Sequence, residues 1–167
     1  MVTRWIHWLG ERITNSSAVP PDLVKAEFGL ILDVFATLVG PLRREAKGVW
    51  AEVTELYGRH AATRGLAAGE VVEEMQYLRE LLIRHLAPEI GQLRPRQGMA
   101  LFLRLNRLVD KGVAMAVVGY TDAMVTTLIP PPDGEPPAEF TGTDAVTRRL
   151  EAIRTSLAQI TPLTSAA

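Results

Sequence analysis

At 167 residues, 47% of them hydrophobic and 22% charged, the chain is long enough to bury a sizeable core and reads as one ordinary globular domain with a short appendage. A net charge of −1 and a pI near 6.3 give no overall pull toward nucleic acid or anionic lipid, both of which reward an excess of Lys and Arg, so neither is expected as a partner. Without cysteine there is no disulfide framework and no thiolate metal site, and the expected compartment is the cytoplasm.

Apolar residues recur at spacings of three and four almost throughout, and period-two alternation is scarcely sustained. The expected fold is therefore all-α: an antiparallel helix bundle with a globin-like or four-helix-bundle core of about five helices, plus a short C-terminal heptad helix. The first predicted helix, about 3–14, interrupts Trp5, Ile6, Trp8, Leu9 and Ile13 with Arg4, His7, Glu11 and Arg12, and so lacks the unbroken apolar run of a signal peptide. A second helix starts near Pro21, whose missing amide costs nothing in a first turn, and runs to Val39, where Gly40 and Pro41 end or kink it.

The third predicted helix, about 41–63, carries an inward stripe of Leu42, Ala46, Val49, Val53, Leu56 and His60, and Gly65 stops it. The fourth begins near Ala67, with Glu70, Glu73 and Glu74 placed to complement the positive end of the helix dipole. Its stripe is Val71, Met75, Leu78, Leu82 and His85, and Pro88 is expected to close it. A long fifth helix, about 96–128, reads as the central scaffold. Its most apolar stretch, 112–120, is bracketed by Lys111 and Asp122 and falls short of the roughly 20 apolar residues that a bilayer crossing needs.

Residues 130–142 hold five of the chain's 11 prolines and read as an extended spacer, dividing a bundle domain at 1–129 from a heptad helix and tail at 143–167. In that tail, Val146, Leu150, Ile153, Leu157 and Ile160 keep a four-three rhythm behind a Thr143–Asp144 cap. Two heptads are too few to stand alone, so the helix either packs back on the bundle or pairs with a second chain, making a homodimer.

The usual signatures of catalysis are missing. No Glu-x-x-His, His-Glu-x-x-His, Gly-x-Ser-x-Gly or phosphate-binding glycine loop occurs, so no catalytic or metal-binding residue is assigned and the expectation is a non-enzymatic module. Glu73 and Glu74 are adjacent, point about 100° apart, and read as a solvated face. His60 and His85 are the cofactor-binding candidates, each a conceivable proximal haem ligand or a hydrogen-bonded core histidine. In antiparallel helices they lie roughly 20 Å apart and cannot share one haem. Trp5, Trp8, Trp50 and Tyr57, with Phe28 and Phe35, either line a pocket for an apolar ligand or pack as core.

The stretch LYGRHAATRGLAAGEVVEEMQYLRELLIRHL, at 56–86, resembles the N-terminal sensor domain of RsbR-type (RsbRD) proteins of the stressosome and related bacterial signalling systems. A helix ending in His60 is followed by Arg64 and Gly65, and then by a helix built around Glu74, Tyr77, Leu78 and Arg79. The opening tryptophan helix and Asn106, Asp110 and Tyr120 of the long helix are also similar. The resemblance implies a globin-like or four-helix bundle without haem that senses a signal, dimerises and passes the signal to an effector domain or partner protein. No such effector follows the heptad helix in these 167 residues. The resulting expectation is a regulatory sensor or protein-interaction module acting as a homodimer, with a haem- or small-ligand-binding sensor using His60 or His85 as the alternative.

Overall fold

The computed structural model describes residues 21–40, 44–129 and 143–160, and among these the regular structure is entirely helical. The helices are α1 (Pro21–Val39), α2 (Ala46–Thr63), α3 (Ala68–Gly91), α4 (Pro95–Leu128) and α5 (Thr143–Ile160). The expected opening helix, with Trp5 and Trp8, and the proline-rich spacer lie outside the described residues.

Successive helices from α1 to α4 run antiparallel, so α2 and α4 lie parallel. Phe28 meets Tyr57 and Phe35 meets Trp50, each with ring centroids 5.7 Å apart, as α1 climbs while α2 descends. The turn from α2 to α3 is closed by Gly65 at φ +77, a left-handed conformation that suits a residue without Cβ. Around it the Leu66 amide donates to the Ala61 carbonyl and the Gly65 amide to that of Ala62, the paired bonds of a Schellman motif. Glu70 then accepts from the Ala67 amide at 2.7 Å, which is the return half of a capping box, since Ala67 has no side-chain acceptor.

The centre of the bundle is α2, not the long helix that its length suggests. Ten of the 18 residues of α2 are buried, and it touches all four other helices. In α4 the buried positions are Gly98, Leu105, Val109, Gly112, Ala116 and Gly119, one narrow edge of a 34-residue helix. A helix in contact with partners along one edge is a flank, however long it is.

That edge fits α2 because its residues are small. A Cβ on Gly58 would fall on the carbonyl of Ala116, and one on Gly119 would fall on the carbonyl of Glu55. At Gly112 an added Cβ would sit 2.7 Å from the Trp50 ring, which occupies that space and donates its indole N–H to the Leu108 carbonyl at 3.0 Å. Backbone therefore meets backbone where α2 and α4 cross, and Arg59 bridges Glu55 and Asp122 at the rim.

One expectation about a helix end needs correction. Pro88 does not close α3, which continues to Gly91. The ring removes one hydrogen bond near an exposed end, where solvent can reach the freed carbonyl and the fixed φ suits a helix. Of the two alternatives for the C-terminal helix, packing back is the one seen: Val146, Leu150 and Ile153 of α5 belong to the same buried cluster as α1 and α2, with Leu157 and Ile160 partly buried against it. Arg149 pairs with Glu52 of α2 at 3.4 Å, and Arg154 donates to the Ala26 carbonyl of α1.

A substitution pair tests the close crossing. Gly58→Ala should lower unfolding free energy by at least ~2 kcal/mol in urea titrations, because the helices must separate. Gly48→Ala, on the same helix with open space around it, should instead be neutral or stabilising by up to ~1 kcal/mol. Equal midpoints for the two variants would refute the contact.

Candidate functional site

Two features stand out from an ordinary helical core: a cluster of ionisable side chains sealed inside it, and an apolar strip left outside it.

The sealed cluster lies where α1, α2 and α3 meet. Tyr57, His60 and Arg64 follow one another at three and four residues on α2 and its C-cap, so they share a face. Across from them are Glu27 of α1 and Glu74 of α3. His60 Nδ1 lies 2.7 Å from Glu27 Oε2. Arg64 donates to both oxygens of Glu74, at 3.0 and 3.4 Å, and its guanidinium stacks 5.4 Å from the Tyr57 ring centroid. The Tyr57 hydroxyl donates to the same Glu74 carboxylate.

Burial drives the Tyr57 pKa well above its ordinary value, and the neighbouring Glu74 carboxylate adds to that push against a smaller opposing pull from Arg64. For Arg64, desolvation works against the charge but is outweighed by Tyr57, Glu74 and Glu27, leaving the guanidinium more firmly protonated than usual. Stripping either Arg64 or Glu74 from its partner would strand a buried charge at a cost of ~3–5 kcal/mol. The two residues keep each other in place.

This corrects several expectations. Glu74 is buried and bonded, so only Glu73 of the adjacent carboxylates is on a solvated face. His60 is inward, at 1% exposure, as its stripe position implies. His85 is exposed: the last turns of α3 pack on α4, where Ile90 meets Gly98, and this turns the buried side toward Leu86 and Ile90. The structure does not bring the two histidines together, since His85 lies eleven residues along α3 from Glu74, about 16 Å of rise. Trp50 and Tyr57 are packed against Phe35 and Phe28 as core, not arranged around a cavity. A shallow cleft of about 70 Å³ between α2 and α5, lined by Glu52, Glu55, Leu56, Arg59 and Arg149, contains none of the candidate pocket residues.

Among the described residues no group of three or more potential ligands gathers as a metal site would require, and the described side-chain partner of His60 is a carboxylate, without a hydroxyl nucleophile. No described helix is long and apolar enough to cross a membrane. Glu27 is the residue that the sequence reading missed, and Arg64 enters it only through the resemblance. Their signal was present: Glu27 sits on the face of α1 that carries Val24, Phe28 and Ile31, and Arg64 follows His60 by four.

The exposed strip belongs to α4. Ala114, Val118, Thr121, Val125 and Leu128 repeat at four and three residues along its outward side, with Val118, Val125 and Leu128 46%, 48% and 73% exposed. The Thr121 hydroxyl is turned back onto the Val117 carbonyl at 2.8 Å, as Thr126 and Thr127 are onto theirs, which lowers the polarity of the strip. Asp122 is the only charged residue between Gly112 and Ile129, and it is bridged to Arg59.

Comparison with family models, with curated proteins and with solved structures finds no match to this chain.

The Tyr57 shift has a definite sign. A hydroxyl whose folded-state pKa is raised contributes stability that is intact below the ordinary value of 10.0 and is lost as pH climbs through the folded value. Alkaline titration should therefore show Tyr57 ionising only together with loss of helicity by circular dichroism. Tyr57→Phe should leave the tyrosinate absorbance that precedes unfolding unchanged; a decrease in that early absorbance would show that Tyr57 ionises in the folded protein.

Proposed function

We propose that this chain is a non-enzymatic regulatory sensor and protein-interaction module that works as a homodimer, paired through the outward strip of α4. The observation that carries the reading is the strip itself: five heptad-spaced positions without an unbridged charge, on a helix whose other edge is already satisfied. A helix apolar on two faces is ordinarily covered on both. The heptad residues of α5, the other pairing surface suggested by the sequence, are directed into the core of their own chain, and this moves the expected interface to α4.

An antiparallel register centred on Thr121 sets Ala114 against Leu128 and Val118 against Val125 of a second copy. It also keeps Arg104, Arg107 and Lys111 of the two copies apart, whereas a parallel register would stack them on their equivalents. The resemblance to RsbR-type sensor domains supports a signalling role. The residues that carry it, including His60, Arg64, Gly65, Glu74, Arg79, Asp110 and Tyr120, contribute to interhelical contacts and the α2–α3 turn. Arg79 pairs with Asp110, and Tyr120 donates to the Leu66 carbonyl at 2.8 Å.

Light scattering across a concentration series tests the pairing. The wild-type chain should be a dimer in the micromolar range, and V118E/V125E a monomer of unchanged helicity. A wild-type chain that stays monomeric to about 100 μM contradicts the reading.

The second reading, a histidine-ligated haem sensor, draws on one observation: His60 Nε2 is buried without a hydrogen-bond partner while Nδ1 is held by a carboxylate, an arrangement found behind metal-binding imidazoles. The residues do not fit the group as folded, because the ring is enclosed in a packed core while ligand pockets occupy ~300 Å³ or more. Haem titration of the purified chain should give no Soret band that depends on His60; one abolished by His60→Ala would reverse this preference.

A further inference from the structure

The amino-terminal half of α4 presents a different surface from the pairing strip. Residues 94–111 contain five of the chain's 18 Lys and Arg but one of its 19 Asp and Glu. The acid, Asp110, is already bridged to Arg79 of α3. Arg94, Arg96, Arg104, Arg107 and Lys111 are all exposed and have no counter-ion among the described residues. By contrast, Arg84 on the adjoining α3 is paired with Glu80 at 2.5 Å. The other titratable groups on this part of α3, His85 and Glu89, are exposed.

Two large apolar side chains stand among these cations, Met99 at 59% and Leu103 at 47% exposure. Arg104, Arg107 and Lys111 lie at three- and four-residue spacing, with Leu103 beside them, on the same outward side as the strip further along. A chain of net charge −1 thus concentrates unbalanced positive charge on one half-helix.

We infer that this face docks an acidic, amphipathic helical segment of a partner protein, its carboxylates on the arginines and its apolar residues on Met99 and Leu103. Four of the five cations are Arg, whose planar fork grips carboxylates in two-point contacts and is enriched at protein interfaces where Lys is depleted; Met is enriched there too. A lipid surface would accept Lys equally and would favour exposed aromatic anchors, and a single-stranded nucleic acid would need stacking rings. The exposed large hydrophobic residues of this half-helix are Met99 and Leu103, neither of them aromatic. The inference extends the interaction-module reading but uses a separate half of α4, so it survives or fails independently of homodimer formation.

The test uses the full chain and a fluorescent synthetic helix with Glu along one face and Leu along the adjacent one, followed by anisotropy. Saturable binding is expected, weakening with salt, and about tenfold weaker for R104E/R107E. Those side chains make no bond to the described residues, so the variant's thermal melt and oligomeric state should match wild type. R44E/R148E, with both positions exposed and away from this face, serves as the charge-matched control and should bind as wild type does. Three results overturn the inference: no binding at about 1 mM peptide, equal binding by R104E/R107E, or tighter variant-sensitive binding to phosphatidylserine vesicles or to a single-stranded oligonucleotide than to the peptide.

Discussion

The bundle is organised by the approach of two backbones. Where α2 crosses α4, the Gly58 and Gly119 positions have no room for a side chain, and each helix presses on a main-chain carbonyl of the other. Close approach of this kind maximises dispersion contacts, but only if every residue at the crossing stays small. It also decides what happens around it. The Trp50 ring takes the space that Gly112 leaves, its indole nitrogen claims the Leu108 carbonyl, and Arg59 reaches Asp122 across the rim. With α4 fixed so tightly to one side of α2, the rest of the α2 surface is free to receive α1, α3 and α5.

The ionic cluster at the α1–α2–α3 junction plays a different part. Hydrophobic burial alone tolerates neighbouring registers, but Glu27, Tyr57, His60, Arg64 and Glu74 can be satisfied in few arrangements. A one-turn slip of α3 would leave Arg64 and Glu74 buried without each other. The Gly65 turn places Arg64 immediately before α3, so a short segment of chain fixes both the reversal and the pair that locks it. Tyr120 extends that lock to α4 through the Leu66 carbonyl.

Much of this was legible in the residue pattern. Ala46, Val49, Val53, Leu56 and His60 of α2, and Val71, Met75, Leu78 and Leu82 of α3, are buried as their spacing implies, because local periodicity is a direct record of which side faces apolar neighbours. Periodicity does not record who the neighbour is. That is why the stripe of α5 left open whether it packs back or pairs, and why α4 looked like a scaffold: residues 112–118 are apolar in nearly every direction, which marks two contact faces as readily as a central position. Glu27 escaped notice, and Glu74 reads as surface, because a carboxylate in a core register looks solvated until its cation, brought from another helix, is known. The His85 error arose from extending the α3 stripe into turns whose neighbour has changed, since they pack on α4 at Gly98.

The crossing of α2 and α4 also limits how the molecule can change shape. Interlocking side chains give helices discrete alternative registers, one ridge or one turn apart, between which they can switch. At the Gly58–Ala116 and Gly119–Glu55 contacts there are no such ridges, only main chain against main chain. These two helices therefore travel as a single rigid beam. Motion that communicates between the ends of the molecule then falls to α1 and α5, whose hold on that beam is through side chains that can let go, and to α3 away from its own close approach at Gly98.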